Sequence, residues 1–217
     1  VEGEEGLSWI VLLLTMMSVH GADAADLIEN VRLEEAIMAR ALQCDRIRQP
    51  PDEAMLRHML GMERDAGIPK VLRGITLAAS CHEAGFNPLK EGDHKCSGEK
   101  GLRVRPFQCK DGTRSRARAV GLVQQWPWVE TSPWGPKINR RNPYEATWAW
   151  IDHWVSKLPK VDKDCKPKNE EHRWVIAQVT SVRSPTPGRK ARCHQESKHY
   201  KRFKRWRVAW EHLLLNG

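Results

Sequence analysis

The sequence predicts a mainly helical protein, and three observations support this fold class. The chain has 217 residues, a length that suits one domain with a sizeable core. Apolar residues recur at helical spacing in several segments that are bounded by Pro, Asn or Gly. Residues 87–118 are polar and without a clear period, so they are predicted to form a long loop or to hold a small hairpin.

The N-terminal segment has the features of a secretory signal. Residues 7–19, LSWIVLLLTMMSV, form an apolar run that is too short to cross a bilayer as a helix. Ala22-Asp23-Ala24 then fits a cleavage site, so residues 1–24 are predicted to be a signal peptide and residues 25–217 the domain. The leader VEGEEG is acidic rather than positive, and a buried N-terminal helix is the alternative. No transmembrane span is expected in the mature chain.

Helix starts and stops can be placed along the first half of the chain. A helix begins after Asp26, and Pro51 suits the first turn of the next one. A third helix is predicted in GIPKVLRGITLAASCHEAG, with Pro69 near its start and Gly85 just past its end. One face of this helix carries Leu72, Thr76, Ala79 and Glu83. Glu83 therefore belongs to a mostly apolar stripe.

Three more helices are predicted in the second half. Asn142, Pro143 and Glu145 form a favourable helix start. The apolar face of the helix that follows is predicted to hold Tyr144, Trp148, Ile151, Val155 and Leu158. HRWVIAQVTSVRSP reads as a short buried helix that ends at Pro185. The last helix is predicted to bury Phe203, Trp206, Trp210 and Leu213 and to expose Lys and Arg.

Six cysteines together with an export signal predict disulfides, and six cysteines allow 15 pairings. Cys96 and Cys109 bracket a polar loop and are the predicted pair, while the other pairings stay open. The segment CHQESKH, with Cys193, His194 and His199, resembles a metal cluster only loosely. Its spacing matches no standard zinc site, which favours a disulfide or a free thiol at Cys193.

The charge balance is basic, with 36 Lys and Arg against 27 Asp and Glu and a pI near 9.4. A basic surface suggests an acidic partner such as nucleic acid, an anionic membrane or an anionic polymer. The alternative is a solvated basic surface without a specific partner.

Glu83 is the candidate for chemistry because of its position. A carboxylate on an apolar stripe near a helix C-terminus is expected to have a raised pKa, since poor hydration and the negative helix end both disfavour ionisation. A general acid needs such a pKa in order to carry a proton at neutral pH. The alternative for an isolated Glu is a partly exposed side chain at a frayed helix end.

Two motifs give the chain a family resemblance. HEAGFNP, followed by SRARAVGLVQQWP, resembles the soluble lytic transglycosylase family of the lysozyme superfamily, with its E-S-G-F-N-P and S-x-x-G-A-x-G-L-M-Q patterns. The resemblance covers roughly residues 52–182 and implies a lysozyme-like α+β domain with the long loop or hairpin between the motifs. Ala84 and Arg118 depart from the patterns, and the family's later Tyr-Asn-Gly segment is absent.

The resemblance also implies roles for individual residues. Glu83 would be the single catalytic acid/base, and Ser115 would orient its carboxylate or the N-acetyl group of the substrate. Gln124 would line the glycan groove, and Gly121 would let the backbone approach a sugar closely. The remaining substrate-binding residues would be Gln125 and Tyr144. Aromatic residues around Trp126 would stack on sugar rings, with core packing as the alternative for most tryptophans.

The activity implied by the resemblance is cleavage of the β-1,4 bond between N-acetylmuramic acid and N-acetylglucosamine. Protonated Glu83 would donate to the glycosidic oxygen and then take the proton of the muramic C6 hydroxyl, which closes a 1,6-anhydro ring. The partner would be peptidoglycan glycan strands and the location periplasmic or extracellular. We expect a monomer with no cofactor, no metal and no nucleic acid.

Three alternatives to the transglycosylase remain open. A goose-type-like hydrolytic lysozyme would use a second carboxylate to place water, with Asp93, Asp111 and Glu130 as candidates. A non-catalytic cell-wall-binding protein would keep the groove without the chemistry. The basic segment KHYKRFKRWR also prompts the hypothesis of a nucleic-acid binder, against which the export signal and the disulfides argue.

Overall fold

The structure is a computed structural model that describes residues 26, 28–47, 51–125, 138–183 and 190–216. The side chains of residues 182–183 and 210–216 are not described. The predicted signal peptide, residues 1–24, lies outside the described residues, as do Trp126, Glu130 and Pro185.

The described residues form seven α-helices, a short 3-10 helix and one two-stranded sheet. The helices are α1 (28–42), α2 (Glu53–Asp65), α3 (Ile75–Ala84), α4 (Pro143–Val155), α5 (Leu158–Asp164), α6 (Glu170–Arg183) and α7 (Lys198–Asn216), with the 3-10 helix at Lys70–Leu72. The strands are β1 (Glu91–Lys95) and β2 (Arg116–Val120). The prediction of a mainly helical chain is confirmed, and the sheet lies between α3 and α4, where a loop or small hairpin was expected.

The two strands are antiparallel, with Glu91 opposite Val120 and Lys95 opposite Arg116. The segment between them is closed by the predicted disulfide of Cys96 and Cys109. The Asp111-Gly112 turn signal is also confirmed: the N–H of Gly112 donates to the carbonyl of Cys109, and Gly112 has a φ of 80°. The loop is therefore a tied hairpin extension rather than a free segment.

One hydrophobic core joins the helices. α3 packs against α2 and α7, and α4 packs against α2 and α6. Trp154 is fully buried among these helices, and its indole N–H donates to the carbonyl of Trp174 at 2.7 Å. This bond satisfies the one polar group of the largest buried side chain, as burial of a tryptophan requires. Among the described helices, none combines the length and apolar character needed to cross a bilayer.

Helix α3 begins later than predicted. The chain forms a 3-10 turn at Lys70–Leu72, and Gly74 then takes a left-handed conformation with φ 87° before α3 starts at Ile75. The carboxylate of Glu63 on α2 accepts the N–H groups of Gly74 and Thr76 at 2.5 and 2.7 Å. These two bonds satisfy donors that the first turn of a helix leaves unpaired, and they fix the start at this point. The predicted stop is confirmed, because Gly85 ends α3 with φ 56°.

Helix α4 starts as predicted but buries a different face. Asn142 caps it by accepting the N–H groups of Tyr144 and Glu145. Tyr144 and Trp148, which were expected in the core, are 39% and 42% exposed. The buried positions are Ala146, Thr147, Ala149, Trp150, Ile151, His153 and Trp154. Contact with α2 and α6 selects this face. On α7, Phe203 and Trp206 are buried as predicted, whereas the side chains of Trp210 and Leu213 are not described.

Three disulfides join all six cysteines. Besides the predicted pair, Cys44 bonds Cys81 and Cys165 bonds Cys193. Cys44–Cys81 ties the segment after α1 to the last turns of α3. Disulfides of this number are typical of proteins that fold in an oxidising compartment.

Candidate functional site

Glu83 lies on the last turn of α3, and local contacts fix that turn. Arg46 donates to the carbonyl of His82 at 2.6 Å, which satisfies one of the carbonyl groups that a helix end leaves unpaired. The carbonyl of Arg46 also lies against Gly85, so close that a Cβ at this position would overlap it. Together with the Cys44–Cys81 disulfide, these contacts hold the end of α3 against residues 44–46.

The carboxylate of Glu83 is 14% exposed and faces the first turn of α7. Its Oε1 lies 2.7 Å from Nζ of Lys198, 2.9 Å from Nε2 of His199 and 3.6 Å from a terminal nitrogen of Arg202. The hydrogen bond with His199 and the ion-pair distances to Lys198 and Arg202 are all to Oε1. No described residue donates a hydrogen bond to the other oxygen, Oε2.

His199 connects Glu83 to the core. The ring is 5% exposed, and its Nδ1 lies 3.2 Å from the side-chain nitrogen of Gln178 on α6. The amide nitrogen of Gln178 is a donor, so Nδ1 accepts and Nε2 carries the proton that is donated to Glu83. The edge of Trp150 also contacts this ring, with 6.2 Å between centroids. The result is a buried chain from Gln178 through His199 to Glu83.

The prediction of a raised pKa for Glu83 is wrong. Burial alone would raise it, but hydrogen bonds from His199 and Lys198, together with the positive charge of Lys198, lower the pKa of Glu83 to about 2 from its ordinary value of 4.5. Arg202 lies nearby as a further cation. Since these groups come from α7, 116 residues away for His199, the apolar stripe of α3 contains no sign of them.

A carboxyl with a raised pKa does occur, at Glu63. This side chain is fully buried on α2, and burial raises its pKa although hydrogen bonds from Thr76 and Gly74 oppose the change. Both of its oxygens accept N–H groups at the start of α3, so Glu63 holds the helix that carries Glu83. Glu63 was not among the residues predicted from the sequence. Its burial could have been predicted from helical spacing, because Glu63 follows Met59 by four residues and Leu56 by seven and so lies on the apolar face of α2.

The second motif is bound to the chain that follows Glu83. The N–H of Gly121 donates to the carbonyl of Lys90 at 2.9 Å, and the side-chain amide of Gln124 donates to the same carbonyl at 3.1 Å. Gly121 has φ 85°, and a Cβ there would overlap the carbonyl of Arg140. The close approach that was expected towards a sugar is thus made to the backbone of Arg140.

The two glutamines differ in burial. Gln124 also donates to the carbonyl of Gly121, and it lies near the surface. Gln125 is 6% exposed, and its side-chain amide nitrogen donates to the backbone carbonyl of Ala146 at 3.0 Å. The backbone carbonyl of Gln125 accepts a hydrogen bond from Arg140. Gln125 therefore connects the second motif to α4, and its amide nitrogen is occupied there.

Ser115 and Tyr144 make no hydrogen bond with Gly121, Gln124 or Gln125 in the described part of the chain. Ser115 is buried, and its hydroxyl oxygen accepts the N–H of Phe107 at 2.8 Å. It lines a pocket that does not include Glu83 among its lining residues. The ring of Tyr144 makes an edge contact with His58, with 4.6 Å between centroids. Of the predicted site residues, Gly121, Gln124 and Gln125 thus form one cluster beside the segment after Glu83.

Each motif contains one non-glycine residue in the left-handed backbone region, Phe86 with φ 58° in the first and Gln124 with φ 50° in the second. Among the described residues, one other non-glycine residue has a positive φ, Asp93 in β1 with φ 49°. Such a conformation costs on the order of 1–3 kcal/mol per residue and concentrates at functional sites. Phe86 is 5% exposed, so its ring packs in the core while its backbone turns the chain away from α3.

The candidates for a second carboxylate have other environments. Asp111 accepts the N–H and hydroxyl of Thr113 in the hairpin turn, and these bonds lower the pKa of Asp111. Asp93 lies in β1, and neither residue makes a hydrogen bond or ion pair with Glu83. Glu130 lies outside the described residues.

No metal centre is formed by the described residues. The two groups with suitable spacing are Cys44, Asp45 and Cys81, and Cys96, Glu99 and Cys109. The cysteines of both groups are joined in disulfides, so neither group offers a thiolate. The Cys193 of CHQESKH is likewise bonded to Cys165.

Comparison with known proteins gave no relatives. The chain matches none of the protein-family models, curated proteins or solved structures with which it was compared.

Proposed function

We propose that this chain is a peptidoglycan lytic transglycosylase in which Glu83 is the acid/base. The observation that supports this proposal is the position of Glu83 at the end of a buried helix, largely shielded from solvent, with no described hydrogen bond to Oε2. Restricted hydration and an oxygen without a described hydrogen-bond donor are two of the features that proton transfer to a bound sugar requires, and a matching pKa is the third.

The contacts between the two motifs add support. Lys90 follows the first motif, and its carbonyl accepts from both Gly121 and Gln124 of the second. The two segments thereby form one wall next to the C-terminal end of α3. The left-handed residues Phe86 and Gln124 lie in this wall, where strain is consistent with a site held in one conformation.

The ionised state of Glu83 bears on the order of the proposed steps. An ionised carboxylate suits the second half of the reaction, in which it accepts the proton of the C6 hydroxyl. The first half needs a protonated Glu83, which requires the contacts from α7 to weaken when a glycan enters. Lys198 is 52% exposed and is therefore the cation that can leave most easily. Glu83 takes up its first proton from solvent, gives it to the glycosidic oxygen and regains one from the C6 hydroxyl, so the protons balance over a cycle and no water is consumed.

The charge and the disulfides suggest the setting. A net charge of +9 complements an anionic wall polymer, and three disulfides suit a periplasmic or secreted protein. We propose that the protein acts there as a monomer on glycan strands.

Glu83→Gln tests the proposal. The variant should lose lysis of purified sacculi by at least about a hundredfold, since general acid catalysis contributes about that much, and it should still bind them. Lysis is followed by turbidity, and fragments are identified by mass. The matched control is Glu53→Gln, which changes an exposed carboxylate on α2.

The fragments released from sacculi distinguish a transglycosylase from a hydrolytic lysozyme. The wild type should release anhydromuropeptides, whereas reducing ends would indicate the hydrolytic lysozyme. Lysis by Glu83→Gln at the wild-type rate would refute the role of Glu83.

A second candidate, a wall-binding protein without catalysis, is favoured by one observation. Three basic side chains surround Oε1, and hydrogen bonding holds the pKa of Glu83 at about 2, so little of it carries a proton at neutral pH. Binding of sacculi without release of either product between pH 4 and 8 would support this candidate over the enzyme.

A further inference from the structure

We propose that a pocket beside the two-stranded sheet binds an anionic oxygen group, either a carboxylate or a phosphate. The pocket has a volume of about 490 Å³ and is lined by Arg114, Arg116, Arg140 and Arg141, together with His94 and Ser115. We call it the arginine pocket. Glu83 does not line it, so the inference does not depend on the catalytic role proposed for Glu83.

The charges of the arginine pocket are unbalanced. Four guanidinium groups line it against one carboxylate, Glu91, which pairs with Arg141 at 2.5 Å. Arg140 donates to the carbonyls of Arg118 and Gln125, so it holds the backbone beneath the pocket. Arg114 and Arg116 are exposed and take part in no ion pair with any described residue.

The sheet register places two like charges at facing positions, and a bound anion would offset their repulsion. Arg116 lies directly opposite Lys95, and like charges at facing positions of an antiparallel pair are destabilising. Glu91, at the other end of β1, is already paired with Arg141. An anion bound in the pocket beside Arg114 and Arg116 would supply the missing negative charge.

A buried histidine whose ring nitrogen Nδ1 has no hydrogen-bond partner lines the same pocket. His94 lines the arginine pocket and is 3% exposed, yet its Nδ1 has no hydrogen-bond partner among the described residues. Leaving a buried polar atom unsatisfied is unfavourable, and a ligand oxygen would supply the missing hydrogen bond. Ser115 uses its oxygen to accept from Phe107, so its hydroxyl proton is available to a ligand.

These donors define the ligand class. Guanidinium groups present paired N–H donors that match the two oxygens of a carboxylate or phosphate, and His94 and Ser115 add single donors. A pocket of this volume is large enough for a small molecule or for the charged end of a longer one. The ligand therefore carries at least one anionic oxygen group.

Titration of the full chain tests this inference. Inorganic phosphate and succinate are added separately at constant ionic strength, and the ring signals of His94 and the arginine Nε–H signals are followed by NMR. Arg114→Ala combined with Arg116→Ala should weaken binding at least about tenfold, because each charged hydrogen bond contributes more than a neutral one. Tighter binding of phosphate would identify the ligand group as a phosphate, and tighter binding of succinate would identify it as a carboxylate.

The control is Arg105→Ala, which removes an exposed arginine of the same loop that does not line the pocket. It should change binding less than about twofold. Equal weakening by the control and the double variant would show non-specific charge screening and would overturn the proposal, as would the absence of saturable binding to the wild type. Glu83→Gln should bind both probes as tightly as the wild type does. The anion-binding proposal can therefore be tested even if the catalytic role of Glu83 is refuted.

Discussion

At the scale of single residues, the charge of Glu83 depends on two side chains of another helix, Lys198 and His199 of α7, which lie 2.7 and 2.9 Å from its Oε1. The helical spacing of α3 correctly indicated that Glu83 is shielded near a helix end. Spacing along one helix contains no information on Lys198 and His199, which approach from α7. The location of the candidate residue was therefore predictable from the sequence, and its charge state was not.

Lys198→Ala should raise the pKa of Glu83 by about one pH unit, because it removes a cation 2.7 Å from Oε1 while burial remains. A carboxyl ¹³C NMR titration measures the change. Lys201→Ala, an exposed lysine on the same helix without contact to Glu83, should leave the titration unchanged. A wild-type midpoint already near the ordinary value would contradict the role assigned to α7.

Acid stability should depend on Glu83. Its pKa is about 2 in the folded chain and 4.5 in an unfolded one, so its stabilisation is complete above pH 4.5 and is lost as the pH falls towards 2. The free energy of unfolding should fall by at most about 3 kcal/mol from this source, since Lys198 is half exposed and partly screened. Urea unfolding at several pH values measures it. The difference between wild type and Glu83→Gln should shrink across this pH range; a constant difference would contradict the expectation.

At the scale of elements, helix ends were predictable where the capping group is local. Asn142 and Gly85 lie next to the helices that they bound, and both boundaries were predicted from the sequence. The start of α3 depends on Glu63 from another helix, so a local signal at Pro69 gave the wrong start. The wrong prediction that Tyr144 and Trp148 are buried has the same kind of cause, because the helices that pack against α4 determine which of its apolar residues are covered.

Glu63→Gln should destabilise the protein by about 1–3 kcal/mol, since an amide has one acceptor oxygen for the N–H groups of Gly74 and Thr76 and leaves one buried donor unpaired. Urea unfolding at neutral pH measures the free energy. The matched control, Asp65→Asn, changes an exposed carboxylate on the same helix and should stay within about 0.5 kcal/mol. Equal stability of Glu63→Gln and the wild type would show that the cap is dispensable.

At the scale of the whole molecule, the fold class and one disulfide were predictable, and the long-range connections were not. The bond between Cys96 and Cys109 closes a short polar loop, so nearness in the chain was a sufficient guide. The other two bonds join residues that are 37 and 28 positions apart, and their partners become neighbours only when the helices pack. The lysozyme-like assembly of the helices stays a prediction.

The bond between Cys44 and Cys81 ends two residues before Glu83. Recombinant material from a reducing bacterial cytosol would lack this covalent anchor, and its α3 would be held by non-covalent contacts alone. A lack of activity in such preparations would reflect the missing disulfide rather than the native protein. The protein should therefore be exported to an oxidising compartment or refolded under oxidising conditions before it is assayed.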